Sequence, residues 1–149
     1  MKISSIILTH NSEDTIKDTL ESVRFCDEIL IIDDYSTDKT IKIAGEFTKN
    51  IFQNKLNSNF AMQRNFGLQK AKNNWVLFID SDEIVTKKLA EEIKDLNFLK
   101  SGYYLKRQNI FLGKHLKYGE WGDIYILRLA NKSKGKFRRQ VHEFWDIKG

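Results

Sequence analysis

Asp80, Asp82 and Glu83 crowd three carboxylates into the end of the apolar run VLFIDSDE, residues 76–83. Like charges at that spacing repel one another, so something positive must offset them. A divalent cation would do so. Asp80 and Asp82 stand at i and i+2 beyond a strand, with Ser81 between them. In a turn both carboxylates can meet one cation, directly or with one acting through water. Hard oxygen ligands suit Mg²⁺ or Mn²⁺, which keep positions for water and substrate phosphate. An isolated Asp-x-Asp also occurs as an exposed turn, but the apolar strand in front of this one favours the metal. Glu83 reads as a charge at a helix N-terminus. A second acidic pair, Asp33-Asp34, closes the run ILIIDD. It can cap the following turn, or one carboxylate can accept hydrogen bonds from a base or ribose, as acids at strand ends do in nucleotide sites. Arg64, in AMQRNFGLQKA, can pair with an acid or reach a nucleotide.

These residues need a scaffold that brings strand ends together. Ile3–Thr9 is a β-rich run, and Asn11 and Ser12 can cap a helix over Glu13–Val23 with Ile16, Leu20 and Val23 at helical spacing. Glu28–Ile32 is a second strand, and a helix follows with Ile41 and Ala44 facing inward. Asn50–Gln53 is a short third strand. Ser58–Lys72 reads as a helix that Gly67 weakens. Trp75–Ile79 is the fourth strand and Thr86–Leu96 a further helix. After residue 100 the pattern turns β-rich, with extended segments at Tyr103–Phe111, Asp123–Ala130 and Phe137–Phe144. Strands alternating with helices imply crossover units, and so an α/β fold with a mostly parallel sheet flanked by helices. In such a sheet ligands bind beyond the carboxyl ends of the strands. Thr9-His10-Asn11, Asp33-Asp34 and Asp80-Ser81-Asp82 should therefore share one edge.

The 149 residues suit one domain, 1–149, with a nucleotide-binding half over 1–99 and an acceptor-side half over 100–149. No apolar run approaches the length of a membrane helix, and no signal peptide is visible. The single Cys26 cannot form an internal disulfide, and a reducing, cytoplasmic setting is expected. The net charge of +5 is uneven: residues 1–99 hold 13 Lys/Arg against 16 Asp/Glu, and residues 100–149 hold 12 against 4. A basic second half is either a solvated face or an attraction to anions, whether substrate phosphates or an anionic membrane touched peripherally. No nucleic-acid module accompanies the charge, so no nucleic-acid partner is expected.

Four segments, LTHNSEDTIKDTLESV, ILIIDDYSTDKT, QRNFGLQKA and WVLFIDSDE, resemble in order and spacing the pattern of glycosyltransferase family 2 on a GT-A fold. They cover roughly residues 3–90. The later stretch GEWGDIYILRLANKSKGKFRRQVHE resembles bacterial enzymes that add a sugar to the lipopolysaccharide core, of the β-1,4-glucosyltransferase type. The resemblance implies a nucleotide-sugar donor, usually a UDP-sugar, an inverting transfer and a glycan or glycolipid acceptor. It places Thr9, Asn11 and Glu13 on the first nucleotide-contacting segment, with His10 where a tyrosine is commoner. Asp33 falls on the acid that contacts the base, with Asp34 beside it, and Arg64 on the basic residue near the nucleotide. Asp80 and Asp82 fall on the metal and diphosphate motif.

Inverting transfer also needs a base on the acceptor side. Asp123 occupies roughly the place of the family's Glu-Asp base motif, although Gly122 replaces the first acid. Glu143 is the rival base, and His142 resembles a histidine that many GT-A enzymes add to the metal shell. The chain stops soon after His142-Glu143, where members of this type continue, so the acceptor-side half is expected to be cut short. Two other classes remain open. Nucleotidyl transfer would want a glycine-rich phosphate loop after the first strand, which LTHNSEDT lacks. A domain that binds a nucleotide sugar without turning it over would bind donor and transfer nothing.

Overall fold

Strand β1 (Ile3–Thr9) is the central organiser, because its side chains alternate between two separate cores. Ile3 and Ile7 face one, Ile6 the other. The protein is described here from a computed structural model covering residues 1–115 and 124–148. After β1 come α1 (Ile16–Ser22), β2 (Glu28–Asp33), α2 (Thr40–Ala44), β3 (Ile51–Gln53), α3 (Phe60–Lys70), β4 (Trp75–Asp80) and α4 (Lys87–Lys94). The remaining strands are β5 (Gly102–Arg107), β6 (Ile110–Phe111), β7 (Lys114–His115), β8 (Ile124–Asn131), β9 (Gly135–Arg138) and β10 (Phe144–Ile147).

Six strands form the main sheet in the order β3-β2-β1-β4-β8-β5. The four from the first half run parallel, β8 adds antiparallel to β4, and β5 adds antiparallel to β8. The mostly parallel α/β sheet with a β-rich C-terminal part is as expected from the sequence. The chain lays β2 and β3 on one side of β1, then returns to place β4 on the other. The carboxyl ends of β1 and β4 stand at that reversal, the usual ligand position in such sheets.

Both faces are covered. Ile16, Leu20 and Val23 of the α1 region, with Ala44 and Ile93, close one core over Ile7, Ile31, Leu77 and Ile79. Ala61 and Leu68 of α3, with Phe137 and Trp145, close the other over Ile6, Ile32, Val76 and Phe78. Among the described residues, no helix is long and apolar enough to cross a membrane. Cys26 is a free, half-buried thiol that burial, helped by Asp27, pushes up to about 12, which fits an inert filler.

Three expectations are corrected. Residues 137–144 are not one extended segment: β9 and β10 form an antiparallel hairpin around a turn with Arg139 at φ 68° and His142 at φ 53°. Helix α1 starts at Ile16, because residues 13–15 remain in the turn that holds the site loops. Gly67 does more than weaken α3. A Cβ there would lie 2.8 Å from Ile6 Cγ2 and 3.3 Å from Ile32 Cγ1, so the helix sits on the sheet at a distance only glycine permits. Gly67→Val forces that overpacking, which outweighs the better helix propensity of valine, and is expected to cost about 2 kcal/mol. Urea denaturation should show a lower midpoint at an unchanged slope.

Candidate active site

Register places the polar strand ends side by side. Leu8 of β1 pairs with Asp80 of β4, and Thr9 pairs with Asp33 of β2. The three clusters expected to share an edge do share it.

Asp80 ends its strand inside a cage of arginines. Arg64, from α3, donates through Nη2 to Asp80 Oδ1 at 3.0 Å and through Nε to Glu143 Oε1 at 2.9 Å. Arg128, from β8, donates through Nη2 to Asp80 Oδ2 at 2.8 Å and to Glu83 Oε1 at 2.9 Å. Glu83 Oε2 in turn accepts the Asp80 backbone N–H at 2.9 Å, and Arg107 Nη1 lies 3.9 Å from Glu83 Oε1. Arg64 also stands over the Phe78 and Phe137 rings, with Cζ 5.3 and 5.5 Å from their centroids. What offsets the crowded carboxylates in this structure is guanidinium. Burial pushes the Asp80 carboxyl up, but Arg128 and Arg64 overcome that and hold it well below the ordinary carboxylate range. Glu83 goes the other way: burial, reinforced by Asp80, outweighs the help it receives from Arg128. The Arg128 guanidinium is disfavoured by burial, yet Asp80 stabilises its charge more.

The loops beyond β1 and β2 are stitched to each other by the residues the sequence singles out. Asp33 is fully buried and accepts from the Ser36 hydroxyl at 2.5 Å and the Ser36 N–H at 2.9 Å. Asp34 Oδ1 accepts the Leu56 N–H, and His10 Nδ1 lies 2.7 Å from the Asp34 carbonyl oxygen. Asn11 Oδ1 accepts the Thr37 N–H at 2.8 Å, and Glu13 Oε2 accepts the Lys39 N–H at 2.9 Å. The Asp-x-Asp turn is tied to the first loop as well. Ser81 Oγ meets Ser12 Oγ at 2.8 Å, and the Ser81 carbonyl accepts the Thr19 hydroxyl. Thr9 Oγ1 is buried with no hydrogen-bond partner among the described residues.

The structure thus gathers Arg64, Asp80 and Glu143, and lays Thr9, Asn11, Glu13, Asp33, Asp34, Ser81 and Asp82 along one edge. Asp82 is exposed and accepts no hydrogen bond from the described residues. His142 is exposed in the β9–β10 turn. Among the described residues no three His, Cys, Asp or Glu side chains are arranged to hold a metal, so Asp80, Asp82 and His142 do not form one donor set here. Asp80 as arranged does not fit a cation, since both its oxygens face arginines. Asp82 does fit one, as a hard, open oxygen donor with room for water and phosphate. Asp123 lies outside the described residues. Glu83 is not on a helix N-terminus as expected, because α4 begins at Lys87 and the carboxylate turns back to Asp80 and Arg128. Sequence reasoning missed Arg128 and Arg107. The signal for Arg128 was a charged residue inside the apolar run IYILRLA.

Residues 4–144 match the family model described as Glycosyl transferase family 2. The chain belongs to glycosyltransferase family 2. Within that family it is 36% identical over 94 residues to an uncharacterized glycosyltransferase of Rickettsia bellii, across 62% of this chain and 32% of that protein. It is 35% identical over 106 residues to the poly(ribitol-phosphate) beta-N-acetylglucosaminyltransferase TarS of Staphylococcus aureus, across 64% of this chain and 18% of that one. The chain spans a third or less of the length of these relatives. Among solved structures, S. aureus TarS 1–349 in complex with UDP-GlcNAc superposes at TM-score 0.53 and 31% identity, covering 63% of this chain and 30% of that one. TarS 1–349 aligned over 93% of this chain and 50% of that one, at TM-score 0.60 and 21% identity, supports the GT-A fold over nearly all of this family 2 chain.

Proposed function

We propose that the protein transfers a sugar, with inversion, from a UDP-sugar to a phosphate-bearing glycan of the cell envelope. The observation that carries this is that the Asp33 loop and the Asp80-Ser81-Asp82 turn flank the loop after β1 on one edge of the sheet and are each hydrogen-bonded to it, in a family 2 chain. The UDP-GlcNAc complex of TarS supports the donor class. The names of relatives support the acceptor class: TarS, and a poly(ribitol-phosphate) beta-glucosyltransferase of Bacillus spizizenii that is 33% identical over 97 residues. The lipopolysaccharide-core resemblance of residues 119–143 points to a second envelope acceptor, and the shared chemistry is a sugar chain carrying phosphate. Lys134, Lys136, Arg138 and Arg139 are exposed around β9 and suit such a chain, or an anionic membrane surface that presents it. The proposed setting is the cytoplasmic face of the cell membrane.

In this reading Thr9, Asn11, Glu13, Asp33 and Asp34 shape the nucleoside pocket, and Arg64 stands near the nucleotide. Mg²⁺ or Mn²⁺ would be held by Asp82, with His142 as a further donor once its turn closes on the site. When bound, such a cation neutralises the charge growing on the leaving nucleoside diphosphate. The acceptor hydroxyl attacks the anomeric carbon from the opposite face and loses its proton to a carboxylate. Glu143 already serves Arg64, which favours Asp123 as that base.

The test is calorimetry with UDP-GlcNAc, UDP-glucose, UDP-galactose and GDP-mannose, with and without Mn²⁺, followed by a transfer assay on phosphate-bearing envelope glycans. Metal-dependent binding of one UDP-sugar and its transfer is the expected result. Binding with no transfer to any acceptor would support a donor-binding domain instead. Binding of none by the folded protein would sink the proposal.

A further inference from the structure

Arg128 belongs to no segment that carries the family resemblance in the first half, yet it has the most consequential contacts at the strand end. It arrives from β8, which runs antiparallel to β4 with Leu129 opposite Leu77. Its side chain is nine-tenths buried, and one nitrogen serves two carboxylates, Asp80 at 2.8 Å and Glu83 at 2.9 Å. Glu83 closes the circuit by accepting the Asp80 N–H, while its own N–H donates to the Asp80 carbonyl at 3.0 Å. The whole turn is therefore locked to β8 through a single guanidinium. With Arg64 and Arg107 included, three arginines face the three carboxylates Asp80, Glu83 and Glu143. Little net charge remains there to recruit a cation. Asp82, next in the chain, stands outside the circuit.

We propose that Arg128 is a positioning residue that keeps the Asp80–Glu83 turn charge-neutral, so that Asp82 alone is left open and a divalent cation enters only together with the nucleotide's diphosphate. The inference rests on the reading of this edge as a nucleotide-sugar site. One carboxylate with water is a weak holder of Mg²⁺ or Mn²⁺, and substrate phosphates normally complete the shell. Arg128 thereby sets the order of assembly without touching the sugar. Removing it would strand Asp80 and Glu83 as under-compensated carboxylates, and such a pair draws in a cation or a proton.

The experiment is a Mn²⁺ titration without nucleotide, read by electron paramagnetic resonance of the free ion, on wild type, Arg128→Gln, Arg128→Lys and the double variant Arg128→Gln/Asp80→Asn. Wild type should bind Mn²⁺ weakly, and Arg128→Gln about tenfold more tightly or better. The added Asp80→Asn should erase the gain. Arg128→Lys keeps a charge on a shorter side chain, whose ammonium falls short of the point Nη2 holds between the two carboxylates, so a gain of about threefold is expected, and it decides the matter if the glutamine variant does not fold. A merely structural role for Arg128 predicts a loosened site and weaker Mn²⁺ binding. Unchanged or weaker binding in a folded variant overturns the proposal. If the gain appears while wild type binds no UDP-sugar even with Mn²⁺, the role of Arg128 stands and the nucleotide reading falls.

Discussion

Asp82→Asn is expected to lower sugar transfer by about 100-fold or more while leaving the melting temperature within about a degree of wild type. The two halves of that expectation come from one observation. Asp82 is exposed and takes no hydrogen bond from the described residues, so the fold loses no contact when its charge goes. In the proposed mechanism its value lies in its exposed carboxylate, free for a cation that accompanies the diphosphate. Asp80→Asn, two residues away, should behave differently and lose stability together with activity, because Asp80 holds both Arg64 and Arg128. Transfer rates at saturating donor, set beside thermal melts of the two variants, check this. Equal activity for Asp82→Asn and wild type would remove the metal from the proposed mechanism.

Arg64→Ala is the substitution with the largest expected effect on the fold. The side chain is 8% exposed and pairs with Asp80, 34% exposed, and Glu143, 16% exposed. Breaking a buried pair from one side leaves the partner charges uncompensated and costs about 3–5 kcal/mol; the partial exposure of Asp80 puts the expectation near 3 kcal/mol. The lost stacking over Phe78 and Phe137 acts in the same direction. For a chain of this size that is a fall in melting temperature of roughly 6–12 °C. The acid limb should move too. Asp80 is held below its ordinary 3.8, so its pairing contributes stability above that pH and gives it up only as the pH falls further. With one arginine gone the carboxyl is depressed less, so the loss should be smaller and complete at a higher pH. Melts from about pH 1.5 to 7 measure both effects, and an unchanged acid limb would mean that Arg128 alone sets the Asp80 carboxyl.

The parallel half was legible because its signals are local. β1, β2 and β4 are apolar runs that stop at polar clusters, and such clusters at strand ends share an edge by topology alone. The cage around Asp80 was not legible, since Arg64, Glu83, Arg128 and Glu143 come from four elements and no spacing in the chain announces their meeting. Sequence reading supplied a cation where the fold supplies guanidinium, because both answer the same repulsion. The β9–β10 turn was missed for a different reason. RRQVH contains no glycine, proline, asparagine or aspartate, and its positive φ angles fall on Arg139 and His142, residues that seldom mark turns. Gly67 was seen but misjudged, as helix propensity is read along the chain while its reason lies across the gap to Ile6.

Glu143 reaches Arg64 from 79 residues away, on the hairpin whose Phe137 and Trp145 rings pack 4.9 and 5.2 Å from Phe78. On a ribosome this hairpin emerges long after α3 and β4 have been made. Until it arrives, the Phe78 side of the sheet lacks part of its cover and one arm of the Arg64 fork its carboxylate, and closing so long a loop is entropically costly. Were the parallel half to form as it is made, its apolar face would stand partly open until then, a form that invites chaperones and self-association. The final hairpin ends that exposure, and with the same movement it completes the charge balance around Asp80.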